Sequence, residues 1–556
     1  MSRYLLPLLL SVAPAHAASL HLCPFEAAPR DAPGTTITDS KGARLKAIVS
    51  AQASLPGCPA AALAIEPGQV QAVYALPPGE RPERTIVLQG VDKDGAFDIS
   101  EHTLVASKPP PAPPSAMPLG VNLLAAMQAR TFGVEERITA TLEGARLRID
   151  CRPGSRPAGV LLQGPWFLPR ADVVLKTAYA GTGQVGWQAA DARLVAREGA
   201  LDMGLLVASG KAASARLAMP PSLDHAGWRQ FVLLCSNDAA QLVFDAVTLE
   251  PAGAPSRRAA RSTWAWDKTE WRERGDALLD WAAGQGLGEV FITVAFLDGQ
   301  VAEPGALGAF IRRAGARGVA VSAVEGDPHM VLPEEQAPSA ARARAYAAYN
   351  AAAEPAARLA GIQYDVEPYL LPAHVLDPLQ RDRRFLELAA ALRQAAGSTP
   401  LEFVVPFWWS DKPGLLGSLA RYADSLAVMD YRTDPDQIVR FAAPFLDWGV
   451  EHGKRVRIAL EAGPIGAEVQ RRYQRVAPGA RGDLLLVELE GRQMLVLLRA
   501  PVAHAHAFIQ TGSRAIDGSA TTFHRDKAAL LRLLPQLEKV FGAWTSFNGI
   551  ALHELR

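Results

Sequence analysis

The sequence predicts a multidomain protein with two N-terminal all-β sandwich domains, the second jelly-roll-like, followed by a C-terminal α/β domain of the (β/α)8 barrel type. Three observations support this prediction. The chain has 556 residues, which is too long for a single hydrophobic core. Proline-rich stretches divide it into segments. Near residue 263 the pattern changes from closely spaced short strands to strands that alternate with helices.

Residues 1–17 have the composition of a cleavable signal peptide. Arg3 supplies a positive charge, residues 4–13 form a short apolar run, and Ala15-His16-Ala17 has the small residues of a cleavage site. No later stretch reaches about 20 apolar residues without a charge, so we expect no membrane span. The sequence therefore predicts an exported protein, periplasmic or secreted.

Charge and cysteine content restrict the possible partners. The chain has 57 basic and 57 acidic residues without a basic tract, which argues against nucleic-acid binding. Its four cysteines permit three disulfide pairings, of which the sequence-local one would place one disulfide in each β domain. Their spacing does not fit a zinc site, and we expect neither a metal nor another cofactor. The cysteines are Cys23, Cys58, Cys151 and Cys235.

Residues 18–108 are predicted to form a small β-sandwich. Short apolar stretches alternate there with Gly, Pro and Asp, as is typical of strands joined by turns. Residues 109–116 follow as a proline-rich linker, because a polyproline run is stiff and extended.

Residues 117–252 repeat the all-β pattern at larger size and are predicted to form a second β-sandwich. Its architecture resembles that of many carbohydrate-binding modules, which implies a carbohydrate-binding role for this domain. Trp166, Trp187 and Trp228 could be platforms for sugars, but we favour core positions because tryptophan is usually well buried. A second linker is expected at residues 253–262.

Residues 263–556 are predicted to form the barrel, with eight strands separated by helical patterns. Extra length lies mostly after the seventh strand, at residues 463–522, where Glu490-Gly491-Arg492 is typical of a hairpin turn. This insertion follows a strand end on the catalytic face of such barrels, so we expect it to form a lid or wall of the site. The eight predicted strands are 263–266, 289–296, 319–324, 361–367, 401–408, 425–431, 455–461 and 548–552.

Carboxyl groups lie at the predicted ends of several barrel strands. Asp365 and Glu367 project to the same side of the fourth strand, because strand side chains alternate. Glu461 ends the seventh strand and Tyr431 ends the sixth. Paired carboxyls at this end of a barrel favour acid–base chemistry on a sugar. The structural alternative is that Glu367 caps a helix and Asp365 forms a buried salt bridge.

Aromatic and polar side chains at the other strand ends are candidates for substrate binding. Tryptophan and tyrosine faces suit the apolar faces of sugar rings. Trp408 and Trp409 are adjacent, so we expect one to face inward and the other to pack against a helix. His553 could donate to a hydroxyl group or tune a carboxylate. The candidates are Trp264, Trp266, Trp408, Trp409, Asp430, Arg432 and His553.

Two of these strands carry a resemblance to a known family. Residues 360–367, with the sequence AGIQYDVE, resemble the D-G-x-D-x-D-x-E signature of family-18 chitinases, and residues 428–431 resemble the M-x-Y-D stretch of that family. The resemblance implies hydrolysis of N-acetylated glycans. It implies that Glu367 protonates the leaving oxygen, that Asp365 orients the acetamido group, and that Tyr431 binds the oxygen of that group.

The chain also departs from the signature. Ala360 and Gln363 stand where the family has aspartates, Arg432 stands in place of the aspartate after the tyrosine, and the eighth-strand tryptophan is replaced near His553. These changes alter the charge network that cycles the proton in that family.

We therefore expect a glycoside hydrolase-like protein that acts on a polysaccharide, with Glu367 as the general acid. The mechanism stays open between substrate assistance and a pair formed by Glu367 and Glu461, whose carboxyls would be roughly 5–5.5 Å apart for retention and roughly 6.5–9.5 Å apart for inversion. The alternatives are a non-catalytic glycan-binding or scaffold protein, and a lyase or transferase that uses the same carboxylates. The oligomeric state is not predicted.

Overall fold

The structure is a computed structural model that describes residues 18–28, 34–38, 44–77, 79–93, 96–105, 115–253, 260–372 and 375–556. The predicted signal peptide and most of both predicted linkers lie outside these residues. The chain divides into two compact units. The first comprises residues 1–112, 368–381 and 465–518, and the second comprises residues 113–367, 382–464 and 519–556.

The first unit contains two β-sheets that share a hydrophobic core. Leu20 and Val49 of one sheet are buried in the same cluster as Leu485 and Val496 of the other. The four-stranded sheet has the order Gly34–Thr38, Arg44–Ser50, Ala18–Pro24 and Ala60–Leu63. The seven-stranded sheet has the order Val70–Ala75, Arg492–Ala503, Arg481–Leu489, Ala507–Ile516, Glu468–Arg475, Thr85–Lys93 and Ala96–Val105.

This sheet order corrects the expectation of a self-contained first domain. The four strands of the predicted barrel insertion share a sheet with strands of the N-terminal segment: Glu468–Arg475 pairs with Thr85–Lys93, and Arg492–Ala503 pairs with Val70–Ala75. The sequence pattern showed that both segments form strands, but alternating hydrophobicity does not specify the partner of a strand. The role of the insertion as a wall of the barrel site stays a prediction.

The second unit begins with a nine-stranded, sandwich-like sheet that folds around one long strand, Val173–Asp191. Its first part pairs with Ala240–Pro251 and its last part with Trp228–Cys235. Gly181 and Gly183 have φ values of +140° and +88° where the strand changes partner, and a Cβ at Gly181 would overlap the Gln241 carbonyl oxygen. The other strands are Gln128–Gly133, Ile138–Glu143, Arg146–Cys151, Ala158–Gln163, Leu201–Ser209 and Ala213–Ala218.

Tryptophans form much of the core of this sandwich. Trp187 and Trp228 are buried, and the ring of Phe231 lies 6.0 Å from the first and 5.2 Å from the second. The preference for core positions is therefore confirmed for these two tryptophans, while Trp166 is half-buried. The sequence-local disulfide pairing is also confirmed, with Cα–Cα distances of 4.4 Å for Cys23–Cys58 and 5.7 Å for Cys151–Cys235.

The rest of the second unit is a closed barrel of eight parallel strands. Helices lie between its successive strands, and within the described residues no helix is long and apolar enough to cross a membrane. The barrel order is Arg261–Ala265, Leu287–Ile292, Ala320–Glu325, Ile362–Tyr364, Leu401–Pro406, Ser425–Met429, Arg455–Glu461 and Phe547–His553. The longer helices are Gly275–Gly284, Pro304–Ala316, Pro333–Ala352, Arg381–Ala396, Pro413–Leu419, Pro435–His452 and Lys527–Phe541.

Local signals set the ends of these helices. The Asp434 carboxylate accepts a hydrogen bond of 2.8 Å from the Gln437 N–H, and Pro435 occupies the first turn of the same helix. Gly453 ends this helix with φ +63°, a conformation that favours glycine. The seventh strand, Arg455–Glu461, begins two residues later, so a short, well-defined connection delivers Glu461 to the carboxyl end of the barrel.

Candidate active site

The candidate active site lies at the carboxyl ends of the barrel strands, and it contains a hydrogen-bonded pair formed by Glu461 and His553. The two residues are neighbours in register on the seventh and eighth strands. His553 Nδ1 lies 2.8 Å from Glu461 Oε2, and the Gly463 N–H donates to the other carboxylate oxygen at 2.6 Å. Both oxygens of this buried carboxylate therefore have a partner.

The geometry around His553 indicates which nitrogen carries the proton. The indole N–H of Trp266 donates to His553 Nε2 at 3.3 Å, so Nε2 is an acceptor and Nδ1–H donates to Glu461. Burial lowers the pKa of His553, but the hydrogen bond to Glu461 and the charge of Glu461 outweigh burial, and the net pKa is raised. Protonation of Nε2 would therefore break the hydrogen bond from Trp266 and, because the ring becomes positively charged, strengthen the interaction with Glu461.

The backbone segment after Glu461 is held by contacts with Thr522. Thr522 forms an isolated parallel bridge with Glu461, and its hydroxyl group donates to the Gly463 carbonyl at 2.6 Å. A Cβ at Gly463 would overlap the side chain of Glu554, so glycine permits the Glu554 side chain to lie this close to the backbone. Thr522 thus holds the backbone of residues 461–463 next to the Glu461 carboxylate.

Asp365 and Glu367 follow the fourth strand, which ends at Tyr364. Burial raises the pKa of Asp365 to about 7, the charge of Glu367 contributes to this shift, and His553 opposes it. Asp365 Oδ1 is buried and has no hydrogen-bond partner among the described residues. Burial and the charge of Glu367 therefore both favour the protonated form of Asp365.

Tyr431 connects these groups. Its ring stacks on His553 with a centroid distance of 6.2 Å and an interplanar angle of 21°. Burial raises the pKa of its hydroxyl group well above the usual value, and four carboxyl groups add to this shift: Asp365, Glu461, Glu367 and Glu554. Side chains from the ends of the fourth, seventh and eighth strands therefore act on one hydroxyl group at the end of the sixth. We call this group of residues the acidic cluster: Asp365, Glu367, Glu461 and Glu554.

Trp264 packs against His553. Its ring stacks on Phe291 at 5.7 Å and meets the His553 ring edge-on at 5.5 Å. The indole N–H of Trp264 donates to Gln363 Oε1, and the Gln363 amide donates to Glu402 at 2.6 Å. Gln363 is fully buried and has a fixed orientation, because it accepts from one neighbour and donates to the other.

A network of buried charged residues continues from Glu402. The Arg457 guanidinium group donates to Glu402 and Glu289, and to the Ser262 hydroxyl group at 2.7 Å. The Ser322 hydroxyl group donates to Glu289 at 2.7 Å. This network was not predicted from the sequence. Its signal was present, because Glu289 and Glu402 are charged residues within otherwise apolar strands and Arg457 is a basic residue within the seventh strand.

Other predicted substrate-binding residues occupy varied positions. Trp266 and Trp408 are 39% and 44% exposed and can offer ring surface to a ligand. Trp409 is buried and packs edge-on against Phe385 at 5.0 Å, as expected for one member of the adjacent pair. Its assignment to substrate binding is therefore corrected, because helix packing has removed its ring from the surface.

Asp430 and Arg432 also differ from expectation. Asp430 is fully buried, neither of its carboxylate oxygens has a partner among the described residues, and burial raises its pKa well above the usual value. Its side chain is closed off from solvent and therefore from a sugar in the site. The Arg432 guanidinium group lies 4.3 Å from the Phe407 ring centroid and donates to the Tyr431 carbonyl at 2.6 Å. Arg432 therefore packs beside the site and supports the Tyr431 backbone.

Comparisons with known proteins add little to this geometry. No family model matches the chain, and no curated protein matches it. Among solved structures, a mutant of a family 29 carbohydrate-binding module is 12% identical, covers 22% of this chain and 75% of its own length, and has a TM-score of 0.18. The CBM22-1–GH10 modules of a Clostridium thermocellum xylanase, complexed with xylohexaose, are 9% identical, cover 61% of this chain and 80% of their own length, and have a TM-score of 0.26. Likenesses this weak carry no argument about this chain.

Proposed function

We propose that the protein is an exported glycoside hydrolase-like enzyme that acts on a polysaccharide, with Glu367 as the general acid. The observation that carries the proposal is that His553, which is paired with Glu461, stacks on the Tyr431 ring at the carboxyl ends of the barrel strands, where Asp365, Glu367 and Glu461 all raise the pKa of the Tyr431 hydroxyl group. This is where barrels of the (β/α)8 type, to which we assign this one, build their active sites. The two disulfides support export.

Each group in the cluster has a chemical role in this proposal. Glu367 donates a proton to the leaving oxygen, and Asp365, whose raised pKa favours its protonated form, lies two residues before it in the chain. Glu461 accepts hydrogen bonds on both oxygens, which suits a carboxylate that stabilises positive charge on the sugar ring or directs a nucleophile. The Tyr431 hydroxyl group stays protonated and can donate to the substrate.

The resemblance to family-18 enzymes extends to Asp365, Glu367 and Tyr431, whose charges and hydroxyl group act on one another. It does not extend to Gln363. In that position the family has an aspartate, whereas the amide here cannot titrate and is held between Trp264 and Glu402. We therefore propose a proton path that involves Asp365 and Glu367 without the residue at position 363.

Replacement of Glu367 by glutamine tests the catalytic assignment. Loss of a positioned general acid lowers a rate by roughly 10²–10⁴-fold, so Glu367→Gln should lower the release of reducing ends from a cleaved glycan by that factor. The matched control is Glu354→Gln, an exposed residue in the turn before the fourth strand and hence on the amino-terminal side of the barrel. Full activity in the Glu367 variant would refute the assignment.

The locked Gln363 amide also favours one alternative, a glycan-binding barrel without catalysis, because it removes a titratable group from the centre of the family signature. In that case the purified protein would bind oligosaccharides and release no reducing ends over long incubation. The second sandwich as a carbohydrate-binding module stays a prediction, since Trp187 and Trp228 are buried in its core.

A further inference from the structure

A second cavity lies within the second unit, between the nine-stranded sandwich and two helices of the barrel. Its volume is about 270 Å³. One wall is formed by residues 115–119 and 121 with Trp166, and the other mainly by side chains of the helices Pro435–His452 and Lys527–Phe541. We call this cavity the sandwich–helix cleft. It shares no residue with the candidate active site described above.

Hydrogen bonds join the two walls of the sandwich–helix cleft. The Arg170 N–H on the sandwich side donates to Asp447 Oδ1 on the barrel side at 2.8 Å, and the Trp544 indole N–H donates to the same oxygen at 2.7 Å. The Asp172 N–H donates to the Ala543 carbonyl at 2.7 Å. The cleft is therefore held in one shape before a ligand binds, which lowers the entropy cost of binding.

Trp166 provides aromatic surface in this cleft. A Cβ at Gly164 would overlap the Trp166 ring, so glycine allows the ring to pack closely against the backbone. Trp166 is half-buried and lines the cleft, whereas Trp187 and Trp228 are buried in the sandwich core. An indole ring that is fixed by its own backbone and open to a cavity suits the apolar C–H face of a sugar ring.

Three exposed polar side chains also line the cleft, and they are available to a ligand. Asp436 and Arg440 are four residues apart on one helix and so lie on the same side of it, yet they form no ion pair with each other. Among the described residues, the Asp436 carboxylate and the Gln536 amide have no hydrogen-bond partner. The Arg440 guanidinium group lies 5.0 Å from the Phe441 ring centroid, a contact that leaves its N–H groups able to donate.

We propose that the sandwich–helix cleft binds a neutral sugar unit of a polysaccharide, with Trp166 against the C–H face of the sugar and with Asp436 and Arg440 bonded to its hydroxyl groups. A hydroxyl group both donates and accepts, so neighbouring hydroxyl groups satisfy the carboxylate and the guanidinium group together. A purely apolar ligand would desolvate both charges without replacing their hydrogen bonds to water.

The size and charge of the cleft define the ligand further. Small-molecule sites usually measure roughly 300–1,000 Å³ and combine a mostly apolar lining with a few polar groups. A volume of about 270 Å³ is near the lower end of this range and suits a short segment of a glycan. The opposite charges of Asp436 and Arg440 balance, so an uncharged sugar fits best. This site is separate from the barrel site and does not require catalysis by Glu367.

A fluorescent label in the cleft tests the proposal. All four cysteines are in disulfides, so Gln536→Cys introduces a single reactive thiol, and Arg421→Cys places the same label at an exposed position outside the cleft. Both proteins are full-length and carry Glu367→Gln to suppress cleavage. The probes are cellohexaose, mannohexaose and an N-acetylglucosamine hexamer. At least one should change the signal at position 536 in a saturable way and leave the signal at position 421 unchanged. Its affinity should vary little with salt, because the sugar is uncharged.

Variants of the cleft connect this signal to the proposed contacts. Trp166→Ala should lower the affinity about tenfold, and Trp166→Phe should lower it less, because an aromatic face remains. Arg440→Ala, an exposed change, should lower it several-fold. Calorimetry of the unlabelled Glu367→Gln protein should show the same loss with Trp166→Ala.

Two results would overturn the proposal. One is that no probe changes the signal at position 536 and that Trp166→Ala leaves the calorimetric binding unchanged. The other is that the affinity survives both Trp166→Ala and Arg440→Ala. Binding in the cleft by a protein that cleaves no glycan would refute the proposed function and leave this inference intact, whereas cleavage without binding in the cleft would do the reverse.

Discussion

Asp365 carries a sharp prediction, because removal of its charge should stabilise the protein. Its pKa is raised from 3.8 to about 7, chiefly by burial and secondly by Glu367. A carboxyl group with a raised pKa binds its proton more tightly in the folded state, so it lowers stability as pH rises from about 4 through 7. An asparagine side chain resembles the protonated form at every pH, and Asp365→Asn should therefore abolish this loss.

The pKa difference sets the size of the effect. The rise from 3.8 to about 7, at about 1.36 kcal/mol for each pKa unit, gives about 4 kcal/mol as the upper limit of the stabilisation at pH 8. The substitution sacrifices no hydrogen bond at Oδ1, which has no partner among the described residues.

Scanning calorimetry of the full chain measures this effect, because a protein of two compact units can show separate transitions. The Asp365→Asn variant should melt several degrees above the natural protein at pH 8 and at the same temperature near pH 4. As a control, Glu367→Gln removes the second cause of the shift, and the pH range of destabilisation should move downward. A variant no more stable than the natural protein at pH 8, or a difference that does not vary with pH, would refute the reasoning.

Three further predictions concern other parts of the second unit. Arg457→Met leaves buried carboxylates without their cation and should destabilise by about 3–5 kcal/mol in denaturant unfolding, whereas the exposed Arg421→Met should change stability little. The pairing with Glu461 raises the pKa of His553, so the stabilisation from this pair is complete below the usual histidine value of 6.5 and is lost as pH rises through the raised value. In the His553→Gln variant the unfolding temperature should therefore vary less with pH in this window. An unchanged pH profile would contradict the pairing. Reduction of Cys151–Cys235 should lower the free energy of unfolding of the second unit by about 2–5 kcal/mol, which would appear as a lower melting temperature in reductant. The same melting temperature with and without reductant would show that this disulfide does not stabilise the fold.

The features that the sequence predicted well depend on local patterns. The eight barrel strands lie where apolar runs alternate with helical patterns, and a closed parallel barrel of eight strands follows from their number and order. Each disulfide joins two cysteines of one predicted β domain, the first domain for one disulfide and the second domain for the other. Asp365, Glu367, Glu461 and His553 could be assigned to strand ends, because strand ends of a parallel barrel share one face.

The features that the sequence did not predict depend on contacts between distant residues. The strands of residues 468–516 complete a sheet with the N-terminal segment, and no hydrophobic pattern states which edge a strand will join. The network of Glu289, Glu402 and Arg457 forms only when three strands bring charged side chains into one interior. Trp409 is in the core because a helix covers it.

The acids and aromatics at the strand ends could be named from the sequence, and their role in catalysis or binding stays a prediction. The protonation of Asp365, the two partners of Glu461 and the burial of Asp430 were decided by the tertiary structure alone. The physical reason is that residue type and spacing set which groups can react, whereas desolvation and the distance to neighbouring charges set how each group holds its proton. Desolvation and the distances between charges are set only when the barrel has folded.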